Sequence, residues 1–163
     1  MYEHRLLLAI ESIERIQIKY PGVKLSVAGT GPLEELIKRN RGVQFLGYLS
    51  DSKLSDVRRN SSCLLYPSTC DHFSLVILES LASGLYVLAS DHFKGYFDEF
   101  EKVGSLRYCS PKVESIVSTI EHLLTEEPNM DTRKQTVEII ANRYTWKSVS
   151  KNFYKGILEI IAP

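Results

Sequence analysis

The sequence has no surplus of charge of either sign. Lys and Arg number 20, Asp and Glu number 20, and the formal net charge is zero. A balanced chain has no broad attraction for nucleic acid or for an anionic membrane surface, so neither is an expected partner. The short basic spots Lys38-Arg39-Asn40-Arg41 and Arg58-Arg59 each follow a helical pattern. Cations there complement the helix dipole and read as solvated helix ends. Cysteine is scarce. Cys63, Cys70 and Cys109 show no metal-ligand spacing, and any disulfide leaves one of the three unpaired. That suggests reduced thiols and a cytoplasmic chain. Cys70 has no His and Asn in a recognisable arrangement with it, so a thiol nucleophile is not expected. No apolar run approaches the roughly 18 residues of a membrane span, and no signal peptide is visible. A membrane is expected only indirectly, through a partner or a lipid-linked acceptor. Repeats, low-complexity tracts and linkers are absent too. What remains is 163 residues, 44% hydrophobic and 25% charged, the proportions of one compact domain with a sizeable core.

The chain is organised around the stretch from Tyr66 to Gly84. Cys63-Leu64-Leu65-Tyr66 is a short apolar run between Ser and Pro, as expected of a strand buried on both faces. Pro67 stops the ladder because it has no N–H to donate. A helix is expected from near Ser74, capped by either Asp71 or Ser74 and closed by Gly84. A helix that opens at the carboxyl end of a parallel strand aims unsatisfied N–H groups and partial positive charge at the crevice above the sheet. That is a seat for a phosphate. Two acids frame it, Asp71 in the loop and Glu79 in the helix. Glu79 lies about 7.5 Å down the axis from Ser74, and helical side chains lean back toward the N-terminus. A carboxylate at that reach can accept from the two hydroxyls of a ribose. The same spacing equally fits a plain polar side, Glu79, Ser80 and Ser83, on an otherwise apolar helix.

The run Pro67-Ser68, then Asp71-His72-Phe73-Ser74-Leu75-Val76-Ile77-Leu78-Glu79-Ser80-Leu81-Ala82-Ser83-Gly84, then Val87-Leu88-Ala89-Ser90, resembles the signature of the retaining family 4 glycosyltransferases of the GT-B fold. Their pattern is two acids separated by seven residues, with Gly-Phe-Gly-Leu after the first. The resemblance implies that Glu79 binds the donor ribose and that Asp71 faces the donor sugar. The amides of Phe73, Ser74 and Leu75 would cradle the diphosphate. Asp71 stands where the family has Glu, Ser74 where it has Gly, and Tyr86 where it has Pro.

In chain order, apolar residues at Leu6, Leu7, Ile10, Ile13 and Ile16 give a helix over 2–19, ended by Pro21-Gly22. Met1 to Ile10 is similar to the family's Lys-Gly-x-x-x-Leu-Leu-x-Ala stretch, with Met1-Tyr2 at the Lys-Gly position. The strand that precedes it in the family, with its diphosphate-binding Arg, has no counterpart in this sequence. Val23 to Ala28 alternates as a strand. Gly29-Thr30-Gly31-Pro32 follows, with Pro32 expected at the first helical position. It is not a dinucleotide fingerprint, since Glu34 replaces the third Gly. It reads as a turn with a helix start, and the resemblance places Gly29 and Gly31 at the rim of the donor crevice. Leu33 to Arg39 is a short helix and Val43 to Leu46 a strand, ending in Gly47-Tyr48-Leu49. In the family the loop after this strand lies against the base. Gly47 and Tyr48 are therefore donor-binding candidates, with Tyr48 also readable as core or rim. Ser50 or Asp51 caps a helix to about Asn60. Tyr86 to Ala89 is a buried strand, 91–100 an aromatic-rich irregular loop, and Ser105 to Cys109 a last strand. Helices follow over Val113–Thr125 with a cap near Ser110-Pro111, from Asp131 or Thr132 to Asn142, and over Trp146–Ile161.

Alternating strands and helices predict an α/β fold, a Rossmann-like three-layer α/β/α sandwich with a mostly parallel sheet and C-terminal helices. The resemblance makes residues 1–163 a single donor-binding domain, half of a GT-B enzyme, without its first strand and without the N-terminal acceptor domain. It implies transfer of a hexose from a nucleoside diphosphate sugar to an acceptor hydroxyl in glycan, polysaccharide or glycolipid synthesis. No cofactor and no metal are implied, and the partner would be an acceptor domain or companion chain. The alternative is a non-catalytic GT-B-like module that accompanies a complete transferase.

Overall fold

The structure is a computed structural model and describes residues 2–126 and 130–161. Met1, at the Lys position of the family's Lys-Gly pair, lies outside the described residues. The elements run α1 (Tyr2–Lys19), β1 (Leu25–Ala28), α2 (Glu34–Arg39), β2 (Val43–Gly47), α3 (Asp51–Arg59), β3 (Cys63–Tyr66), α4 (Leu75–Ala82), β4 (Tyr86–Ser90), a 3-10 turn (Asp91–Phe93), α5 (Asp98–Lys102), β5 (Leu106–Cys109), α6 (Val113–Thr125), α7 (Met130–Arg143) and α8 (Trp146–Ile161). Every strand pair is parallel, as crossover helices require.

Alternation along the strands sorts the core into layers. Val87 and Ala89 of β4 face Ile77 and Leu81 of α4 and Ile139 and Ile140 of α7. Leu88 faces the other way, onto Ile116 of α6 and Leu8 of α1. β4 is buried from Val87 to Ser90 because it has a strand on each side and helices on both faces. A third cluster joins Leu6 and Ile10 of α1 and Ile37 of α2 to Leu25, Val27, Val43 and Phe45 of β1 and β2. This is the expected three-layer α/β/α sandwich.

Several expectations change. β3 is not buried on both faces: Cys63 is exposed and Leu64 to Tyr66 are half-buried, because among the described residues β4 alone pairs with it. The segment 91–100 is not a loose loop. It winds through the 3-10 turn into α5 and buries Phe93, Phe97 and Phe100 completely. Its acids are structural anchors. Asp98 accepts from the Gly95 amide (2.8 Å) and the Tyr108 hydroxyl (3.1 Å), and Glu99 pairs with Arg143 and accepts from the Tyr144 hydroxyl (2.5 Å). α2 starts at Glu34 after Leu33, so Pro32 sits in the turn and not at the first helical position. α6 runs over Val113–Thr125 as expected, but its N-cap position is Lys112 and not Ser110 or Pro111. Arg58 is no solvated helix end: its side chain is 16% exposed and it pairs with Glu79, whereas Arg59 is exposed as expected. α8 buries none of its residues and leans on α7.

Candidate functional site

The site is built where β3 hands over to α4. Pro67 is buried and ends the strand, and the chain crosses to Ser74, whose backbone (φ −92°, ψ 110°) is the N-cap of α4. Neither Asp71 nor Ser74 caps the helix with its side chain. Both turn to Tyr66 instead. The Tyr66 hydroxyl donates to Asp71 Oδ2 in a short bond, and Ser74 lies against the same hydroxyl. Burial, then the Asp71 carboxylate, pushes the Tyr66 phenol above its usual range. Asp71 is thus half-buried and oriented from inside, and its carbonyl takes a 3.0 Å bond from His92 Nε2. Ser74 is 4% exposed. Its ordinary negative φ needs no glycine, and its side chain lies on the inner side of the loop.

Because no side chain caps the first turn, the amides of Phe73, Ser74 and Leu75 have no hydrogen-bond acceptor among the described residues. Phe73 (48% exposed) and Leu75 (62% exposed) flank them at the surface. Phe73 rests its ring 5.2 Å from the buried Phe97. Unengaged amides at a helix start are an anion seat. Glu79 lies one turn on from Leu75 on the same exposed side of α4. Its side chain is 51% exposed, and Oε2 meets Arg58 Nη2 from the last turn of α3. Glu79 does not turn into the interior. α4 then closes as a Schellman motif: Gly84, at φ 82°, donates to Leu81 O (3.0 Å), and Leu85 to Ser80 O (3.1 Å).

The second group of candidates lies at the carboxyl ends of β1 and β2. The Gly29 amide donates to Gly47 O at 2.7 Å, with positive φ at both glycines (123° and 64°), so the two strand ends turn away together. Gly29 and Gly31 line a largely apolar cavity of about 220 Å³ with Leu6, Phe45 and Ile37. Tyr48 is 83% exposed, so it is neither core nor packed rim. The first turn of α1 stands between the two groups: Leu6 lines the cavity, and Arg5 Nη2 donates to Thr69 Oγ1 (2.8 Å) in the β3–α4 loop. Arg5, Arg58, Tyr66 and His92 were not site candidates from sequence. In the sequence Arg58 stands out only as half of the basic pair Arg58-Arg59. No group of three or more His, Cys, Asp or Glu sits together as metal ligands among the described residues.

Residues 2–143 match the family described as Glycosyl transferases group 1. The chain belongs to this family. The phosphatidylinositol N-acetylglucosaminyltransferase gpi3 subunit of Schizosaccharomyces pombe is 25% identical over 162 residues, which cover 94% of this chain and 35% of that protein. This chain therefore spans about a third of the length of that curated relative. The C-terminal domain of a glycosyl transferase group 1 family protein (LpcC) from Francisella tularensis superposes with a TM-score of 0.65 at 21% identity, covering 85% of this chain and 78% of that one. A chain of the GtfA/B complex superposes at 0.71 and 18% identity, covering 94% and 33%. The likeness to these structures fixes the fold as the C-terminal half of a GT-B glycosyltransferase.

Proposed function

We propose that this group 1 domain is the nucleotide-sugar-binding half of a retaining glycosyltransferase, which moves a hexose from a nucleoside diphosphate sugar to an acceptor hydroxyl. The observation that carries the reading is the open first turn of α4, with the amides of Phe73, Ser74 and Leu75 unengaged and Glu79 on the same exposed side. The diphosphate rests on those amides, where the helix dipole favours its charge. Glu79 accepts from the ribose hydroxyls, with Arg58 fixing one of its oxygens. Asp71, held by Tyr66, faces the sugar and orients it. The amides then stabilise the charge that collects on the departing diphosphate. Gly29, Gly31, Gly47 and Tyr48 lie along the far rim, where Tyr48 is free to lie against a base. The acceptor is held by an acceptor domain or companion chain. Two of the similar proteins, the gpi3 subunit and the GtfA/B complex, are themselves parts of assemblies, in keeping with that arrangement. No metal ion has a role in this reading, and the work is placed in the cytoplasm.

One observation favours a second reading. Both framing acids already have protein partners, Asp71 in Tyr66 and Glu79 in Arg58. A non-catalytic module beside a complete transferase would keep such internal pairs and bind no nucleotide. Calorimetry of this chain with UDP and with GDP separates the two. Millimolar or tighter binding that Glu79→Ala removes supports the donor site. No heat with either nucleotide supports the accompanying module.

A further inference from the structure

Among the described residues, the half-buried arginines are Arg5, Arg58 and Arg107. Arg58 pairs with Glu79, and Arg107 with Glu126 at 2.5 Å. Arg5 has no carboxylate partner among the described residues. Its bond there runs from Nη2 to Thr69 Oγ1 at 2.8 Å. A hydroxyl satisfies one N–H but leaves the charge unanswered, and the other donors of the guanidinium form a rigid fork suited to a phosphate. Drawing a cation partly out of water costs free energy that an anion offsets. The arginine is also well placed to meet one. Leu6 and Leu8, close by on α1, pack against separate core clusters, which fixes this part of the helix. Thr69 lies two residues before Asp71 in the loop that ends at the open first turn of α4. Glu79 lies on the other side of the amides of Phe73, Ser74 and Leu75, one turn further into α4. A donor laid along this line sets its ribose at Glu79, a phosphoryl group on the amides and its sugar toward Asp71. The phosphoryl group nearest the sugar is then the one that comes to Arg5.

We infer that Arg5 binds the terminal, sugar-side phosphoryl group of a nucleoside diphosphate and makes the site selective for a diphosphate over a monophosphate. Thr69 is a positioning residue: it touches Arg5 and steadies the guanidinium toward the seat. The two phosphoryl groups are held by different parts of the fold. The α4 amides take the one beside the ribose, and the α1 cation takes the terminal one. A nucleoside monophosphate reaches the amides and Glu79 but not Arg5. Arg58 does not substitute, because its guanidinium is engaged with Glu79. The inference rests on the donor reading and adds to it a residue from outside the β3–α4 unit. A charge-assisted contact of this kind changes affinity by roughly ten- to a hundredfold.

The test is calorimetry of the full chain with UDP and with UMP. Arg5→Gln is expected to weaken UDP about tenfold or more and to leave UMP within about twofold. Arg5→Lys should recover part of the loss, since it restores the charge without the fork. Thr69→Val should weaken UDP by a few-fold, roughly one hydrogen bond's worth, and leave UMP alone. A contact that merely pinned α1 to the loop would move the melting temperature and not the ratio of the two affinities. Equal loss of UDP and UMP in Arg5→Gln, or loss of neither, overturns the role of Arg5 while the donor site stands. Should Arg5→Gln fail to fold, Thr69→Val decides. A loss confined to UDP upholds the inference, and unchanged UDP affinity overturns it. If the wild-type chain binds neither nucleotide, the donor reading itself fails and the role of Arg5 falls with it.

Discussion

Glu79 is the residue on which the donor reading turns, and its surroundings say how much it can contribute. It is half in water, with Arg58 against one oxygen, so one carboxylate oxygen and the remaining lone pairs face outward. Losing a hydrogen-bonded carboxylate removes about 1.5–3 kcal/mol of binding, roughly ten- to a hundredfold in Kd. Glu79→Ala is therefore expected to weaken UDP or GDP affinity by that factor in calorimetry. The melting temperature should move little, since a partly exposed ion pair contributes at most about 1 kcal/mol. A large loss of stability with no change in affinity would make Glu79 structural. The two acids and their spacing were legible in the sequence because they lie on one local turn. Their partners were not. Arg58 reaches Glu79 through the packing of α3 beside α4, and Tyr66 reaches Asp71 by closing the loop on itself. Neither contact follows from local period or propensity.

At the scale of elements, ends and punctuation were readable, and the packing of the aromatic segment was not. Gly84 was expected to close α4, and it does so at positive φ with both Schellman bonds. A side chain there meets no neighbour within 4 Å, so the penalty is purely conformational. Gly84→Ala is expected to cost about 1–2 kcal/mol in urea unfolding. Gly84→Asn should cost less, because Asn tolerates the left-handed region. The segment 91–100 has no clear period, which hid its role. Phe93, Phe97 and Phe100 are all fully buried and pack with Ile77, Leu81 and Leu106. Phe97 also supports Phe73 at the lip of the site. Phe97→Ala is expected to destabilise the fold by about 3–5 kcal/mol, as cavity-forming aromatic truncations do. Wild-type melting behaviour in that variant would contradict the core assigned to this segment.

For the whole molecule, alternating strands and helices were enough to predict a layered parallel sheet. They did not show that the strands fall into two ladders, β1–β2 and β3–β4–β5, because which strands pair is set by tertiary packing and not by local pattern. The fold also sets a response to alkali. Burial pushes the Cys109 thiol up to about 12, with the Asp91 charge adding to it. Burial and Asp98 raise the Tyr108 phenol, and burial and Asp71 raise that of Tyr66. The unfolded groups titrate near 8.5 and 10, so above those values the unfolded chain releases protons that the folded chain keeps. The stabilisation is complete below about pH 8.5 and is lost as pH rises toward 12. Urea melts between pH 7 and 11 should show that decline, and Tyr108→Phe should flatten it. The donor seat itself is tested most directly by titrating the 15N-labelled chain with UDP and following its amide resonances. The account predicts the largest shifts at Phe73, Ser74 and Leu75, where the helix start meets the diphosphate. Shifts confined to the cavity around Gly29 and Gly31, or none at millimolar UDP, would contradict it.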